Sequence, residues 1–209
     1  MAGNGNALDW TEVYAQPLWD ADFLTVGAIT SGNDLVQSEK VLFTGNNVGN
    51  IQRTNMQTSG ILPGMQAMKV YAVRGELFFY ESNDTGAATG LSGVAELFVH
   101  ALHATAITFR ITDAEILKAP LSMVPAGMGP WGYVADSTAP IVTNGQPANP
   151  AKYVLKMPAT IEQQGGVNLT VSHSTLGAVN IVTAINTWTG LKASRYYLDG
   201  LKLRNATGR

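Results

Sequence analysis

Met68-Lys69-Val70-Tyr71-Ala72-Val73-Arg74-Gly75-Glu76-Leu77-Phe78-Phe79-Tyr80 is the stretch on which the fold turns. Successive side chains of a strand point to opposite faces. Lys69, Tyr71, Val73, Gly75, Leu77 and Phe79 therefore share one side, and Met68, Val70, Ala72, Arg74, Glu76, Phe78 and Tyr80 the other. Neither side is cleanly polar, which predicts a long strand covered on both faces. Ile61-Leu62-Pro63-Gly64 leads into it as a turn, because Pro presets φ at the first corner and Gly accepts positive φ at the second. Ser82-Asn83-Asp84-Thr85-Gly86 has the turn chemistry to end it.

Outward from this strand the chain reads as more strand. Residues 11–13, 23–29 and 40–44 before it, and 105–112, 153–157, 167–171, 178–184 and 196–203 after it, are rich in β-branched and aromatic residues. In residues 105–112, Ile107, Phe109 and Ile111 alternate with Thr108, Arg110 and Thr112, the pattern of a half-buried strand. One helix is predicted over 91–102, where Leu91, Val94, Ala95, Phe98 and Leu102 recur at helical spacing and Ser92 offers a cap. Residues 119–150 are rich in Pro and Gly and read as surface loops. Residues 1–9 are small and polar and read as an arm that orders only against a partner. The expectation is an all-β protein: one β-sandwich or barrel domain over 10–209, with one short helix and long loops.

Composition narrows the function. Cysteine is absent, so there is no disulfide, thiolate metal site or cysteine nucleophile. Charged residues make up 13% of the chain, about half the usual share, which fits a protein that hides much of its exterior against neighbours. The charges are segregated. Residues 1–39 hold Asp9, Glu12, Asp20, Asp22, Asp34 and Glu39 and no Lys or Arg, whereas the end carries Lys192, Arg195, Lys202, Arg204 and Arg209 against Asp199 alone. Such ends suit head-to-tail contact between subunits or phosphate binding by the tail, beside the plainer reading of solvated strands. No run is long and apolar enough for a membrane span, and the opening MAGNGNALDW lacks the basic and apolar regions of a signal peptide. Synthesis in the cytoplasm is the expectation.

Few residues suggest chemistry. Glu96, His100 and His103 would line one helical stripe as weak candidates for a metal site, yet they lack the HExxH order of a catalytic zinc helix. Gly127-Met128-Gly129-Pro130-Trp131-Gly132 matches a dinucleotide string, but Pro130 removes an amide and blocks the helix that must follow. Ser172, His173 and Asp199 can be imagined as a triad without any nucleophile elbow. Asp20 and Asp22 share a strand face with no cleft around them. No catalytic residue, cofactor or small-molecule substrate is expected. Trp10, Trp19, Trp131 and Trp188 offer sugar-stacking or interface anchors, Trp10 and Trp131 foremost as interface candidates, beside core packing, the more frequent role of tryptophan.

Three segments carry a resemblance: residues 54–66 leading into the long strand; Leu155-Lys156-Met157-Pro158-Ala159-Thr160-Ile161; and the closing Tyr196-Tyr197-Leu198-Asp199-Gly200-Leu201-Lys202-Leu203-Arg204. Together they look like the single jelly-roll capsid proteins of tailless, membrane-containing icosahedral bacteriophages. The resemblance implies a jelly-roll β-sandwich serving as a virion shell subunit. Its partners would be copies of itself, other capsid proteins and the lipid of an internal membrane, with no specific nucleic acid. The helix and the 119–150 region depart from that pattern as insertions. The alternative is a phage receptor-binding or carbohydrate-binding β-sandwich that uses Trp131 and Tyr133 as an aromatic platform.

Overall fold

A computed structural model describes residues 10–24, 39–44, 53–64, 66–80, 94–129, 131–135, 138–143, 145, 148, 150–176, 179–180 and 191–205. The strands before the first helix are β1 (Trp10–Ala15), β2 (Leu18–Leu24), β3 (Glu39–Leu42) and β4 (Gln66–Tyr80). Helix α1 (Val94–Ala104) is followed by β5 (Thr105–Ile111), β6 (Ala114–Pro120), β7 (Trp131–Ala135) and β8 (Thr138–Thr143). The chain continues with β9 (Tyr153–Ile161), β10 (Val167–His173), β11 (Thr175–Leu176), β12 (Val179–Asn180) and β13 (Leu191–Asn205). Two antiparallel sheets dominate. The larger has β13 and β4 at its centre, with β1 and β2 in line along the free edge of β13, β9 and β8 along the free edge of β4, and β7 outside β8. The smaller runs β3-β10-β5-β6. The protein is an all-β sandwich with one α-helix among the described residues.

One apolar cluster joins the sheets. Leu18, Met68, Val70, Val73, Leu77, Tyr196 and Leu198 from the large sheet meet Leu42, Ile107, Phe109, Leu117, Leu169 and Val171 from the small one, every one of them buried. A fully buried side chain of this size contributes about 1.5–3 kcal/mol. In β10 and β5 the inward positions follow a period of two, with Val167, Leu169 and Val171 facing Ile111, Phe109 and Ile107 in register. Helix α1 packs by Phe98, Ala101 and Ala104, with Leu102 partly buried against the same cluster. Helix α1 ends two residues later than the sequence pattern suggests, and Leu91 and Ser92 lie outside the described residues.

The mixed faces of β4 have a different cause from two-sided cover. Asp199 pairs with Ala72 but Gly200 with Val70, so Tyr71 is an extra residue that β13 does not match. A bulge of one residue exchanges the two faces of everything beyond it. Met68 and Val70 point into the core before it, and Val73 and Leu77 after it. Lys69 and Tyr71 are exposed on the outside. Residues 119–150 also depart from the surface-loop expectation. Leu121, Val124 and Ala126 are buried, Gly75 N–H donates to the Val124 carbonyl at 2.9 Å, and β7 and β8 extend the large sheet. The Pro and Gly residues cut this stretch into short pieces without expelling it from the core.

Candidate functional site on the outer face of the large sheet

Tyr196 and Leu198 of β13 enter the core, so Arg195, Tyr197, Asp199 and Leu201 face outward. Here the strand registers assemble a polar and aromatic network. Arg74 on β4 donates from Nε and Nη2 to the two Asp199 carboxylate oxygens at 2.6 and 2.8 Å. This paired geometry fixes the guanidinium plane, which lies 4.5 Å from the centre of the Tyr197 ring. The Tyr197 hydroxyl donates to Glu76 at 3.0 Å, and the Arg195 guanidinium sits 5.3 Å from the Trp19 ring centre. Burial raises the Tyr197 pKa above its ordinary value and the Glu76 charge adds to this, while a hydrogen bond from Arg195 opposes it. The network ties β2, β13 and β4 together from outside.

Next to it, a trench of about 440 Å³ crosses the sheet at right angles to its strands. Ala15, Gln16 and Pro17 line one end, where β1 gives way to β2. Asp199, Gly200 and Leu201 of β13 and Tyr71 and Ala72 of β4 line the middle; Lys152 and Val154 line the far end. Three local irregularities in a row accompany it. Pro17 interrupts the edge, Tyr71 is the bulge, and residues 155–158 of β9 stand opposite Tyr71 between the pairs Val70–Ala159 and Ala72–Val154. Its lining is mainly apolar, and Val154 is 62% exposed.

The charges singled out in the sequence fall into three groups. Asp20 and Lys202 are buried in the chain, which removes them as interface residues. The Asp20 carboxylate accepts from Phe43 N–H at 2.6 Å and Ala21 N–H at 3.1 Å, and Lys202 Nζ donates to Gln16 Oε1 at 3.2 Å. Burial lowers the Lys202 pKa. Arg195 belongs to the network on the outer face, and Arg204 is exposed near the end of β13. Trp10, Glu12, Asp22, Trp131 and Lys192 are placed by main-chain position only, and Asp9 and Arg209 lie outside the described residues.

Register also changes the meaning of the opposite charges at the two ends. β1 and β2 both pair antiparallel with β13, setting Glu12 across from Arg204, Tyr14 across from Lys202 and Asp22 across from Ser194. The acidic beginning and basic end lie side by side within one chain. The remaining candidates do not converge. His100 is half-buried and His103 exposed on α1, and Glu96 is placed by main chain alone. Among the described residues no three His, Cys, Asp or Glu side chains form a metal set. His173 Nδ1 lies 2.8 Å from Thr105 Oγ1 on the small sheet, whereas Asp199 binds Arg74 on the large one, so the imagined triad does not exist. The glycine string runs into β7 instead of a helix. Among the described residues no helix is long and apolar enough to cross a membrane.

The sequence reading missed the trench. Its lining comes from four separate segments, and the bulge that opens it is a relation between β4 and β13 that neither sequence states alone. Comparison with protein-family models, curated proteins and solved structures finds no match to this chain.

Proposed function

We propose that this chain is a virion structural protein, a capsid shell subunit that works through packing surfaces and carries no catalytic site. The observation behind the reading is the nesting of its strand pairs. β2 pairs with β13, β3 with β10, β4 with β9 and β5 with β6, all antiparallel. The first half of the chain thus lies strand by strand against the second half in reverse order, shared between two sheets. That connectivity supports a jelly roll, an architecture used by viral shells and by lectins. Fold alone does not decide between them.

The surface favours the shell. A low charge fraction leaves little to keep an isolated molecule apart from its copies. Val13, Val154 and Met157 are more than half exposed on the strands of the large sheet, apolar area of the kind that neighbours cover. Copies of itself and other shell proteins are the partners this implies, with virion localisation; the basic end of β13 and lipid headgroups form a secondary contact. Electron microscopy of the concentrated, purified protein tests the reading. Closed shells or regular sheets are the expected result, and uniformly dispersed single molecules would count against it.

A binding-module reading draws on one feature. Trp131 and Tyr133 lie two residues apart on β7, the outermost strand of the large sheet. Saturable binding to a glycan array, lost in Trp131→Ala, would favour this role over the shell.

A further inference from the structure

We infer that the small cavity beside Lys202, on the inner side of the large sheet, binds a single halide ion that serves as counter-ion to the Lys202 ammonium. The site is separate from the trench and does not depend on the shell reading.

The position of Lys202 sets the requirement. It lies four residues beyond Leu198 on β13 and so on the same, inward face. Leu198 is buried in the core, and Lys202 itself is only 6% exposed. An ammonium carries three N–H groups and no acceptor. Lys202 Nζ spends one of them on Gln16 Oε1 at 3.2 Å, a neutral partner. Among the described residues it forms no ion pair. Burial lowers its pKa, and no neighbouring carboxylate acts against that. A positive charge held this deep without an opposite charge is costly to the folded chain.

The cavity supplies the place for one. Its volume is about 10 Å³, room for one particle near the size of water. Leu18, Met56 and Leu62 form its apolar wall, and Asn55, Gln57 and Gln66 stand with Lys202 on its polar wall. No acidic residue lines it. The Asn55 amide is fixed in orientation: Oδ1 accepts from Trp19 N–H at 2.8 Å and Nδ2 donates to the Pro17 carbonyl at 2.7 Å, which leaves a second Nδ2 hydrogen to give. Ammonium and amide hydrogens together make this a donor wall, the chemistry that holds an anion. The volume suits a monatomic anion and excludes sulfate, phosphate and carboxylates. Water accepts the same hydrogen bonds but brings no negative charge to a buried ammonium.

The test is urea unfolding of the full chain at neutral pH, with sodium gluconate replaced stepwise by sodium chloride or sodium bromide at constant ionic strength, so that screening stays fixed. Binding to the folded state should raise the folded-to-unfolded ratio saturably, by about tenfold once the halide reaches ten times its dissociation constant. Lys202→Met should unfold at the same urea concentration in all three salts. Lys69→Met, which removes an exposed cation, should keep the whole response. A crystal of the full chain grown in bromide gives the location, with anomalous density expected against Lys202 Nζ. A parent chain indifferent to halide, or a halide response that Lys202→Met retains, overturns the inference. Bromide found on the outer surface alone means an adventitious ion only, and density without anomalous signal in the cavity means a bound water; each overturns it as well.

Discussion

The Asp20 carboxylate holds two main-chain amides from inside the sandwich, and one of them belongs to Phe43, whose φ of 64° is unusual for a bulky residue. The hydrogen bond fixes the chain where β3 ends and lets the Phe43 ring enter the core, fully buried. Asp20→Ala should cost about 2–3 kcal/mol in urea unfolding, because it leaves a buried N–H without its acceptor, and Asp20→Asn about half as much. Equal stability of all three proteins would remove this role. Lys202 acts in the opposite sense. Burial lowers its folded pKa below that of the unfolded chain, so between the two values the unfolded state binds more protons and stability rises with pH. Lys202→Met should therefore be more stable than the parent at pH 7, with the advantage shrinking toward the ordinary lysine pKa of about 10.4. Unfolding midpoints at pH 7 and pH 10 check this, and an advantage that grew with pH would contradict it. Neither burial was legible in the sequence, where charge alone argued for the surface. What buries these groups is a partner distant in the chain, Phe43 in one case and Gln16 in the other.

β13 organises the elements. It runs the length of the large sheet, takes β1 and β2 on one edge and β4 on the other, and crosses the β4 bulge at Gly200. A side chain at Gly200 would run into the Lys69 carbonyl oxygen. Gly200→Ala should lower stability by about 1–3 kcal/mol and disturb the trench; an unchanged urea midpoint would show that the two strands are not in close approach there. Strands with a clean period were legible. β5 and β10 were found within about two residues because their alternating apolar positions all enter the core. β6 was missed as a separate strand, since Ala114-Glu115-Ile116-Leu117-Lys118-Ala119-Pro120 hides its alternation behind a register shift opposite Phe109 and Arg110. The last strand extends beyond 196–203, because Ser194 and Arg195 are poor strand signals whose places are fixed by pairing with β2 and β4. The strand expected over 153–157 likewise continues to Ile161, with a register shift opposite Tyr71.

At the scale of the molecule, segregated charge was legible and its role was not. Acidic and basic ends suggest attraction between subunits, but β1 and β2 pair with β13, so the two ends are neighbours within each chain. On the proposed shell role, contacts between copies would draw on exposed apolar side chains such as Val13, Val154 and Met157. Such contacts keep their strength where salt screens charge. The most direct test of a shell-forming role is the mass distribution of the purified full chain by light scattering, across concentration and in salt from low to about 1 M, where screening acts within about 3 Å. Growth from single chains to large, uniform particles that persist at high salt is the expected result. A chain that stays monomeric at every concentration and salt would contradict it.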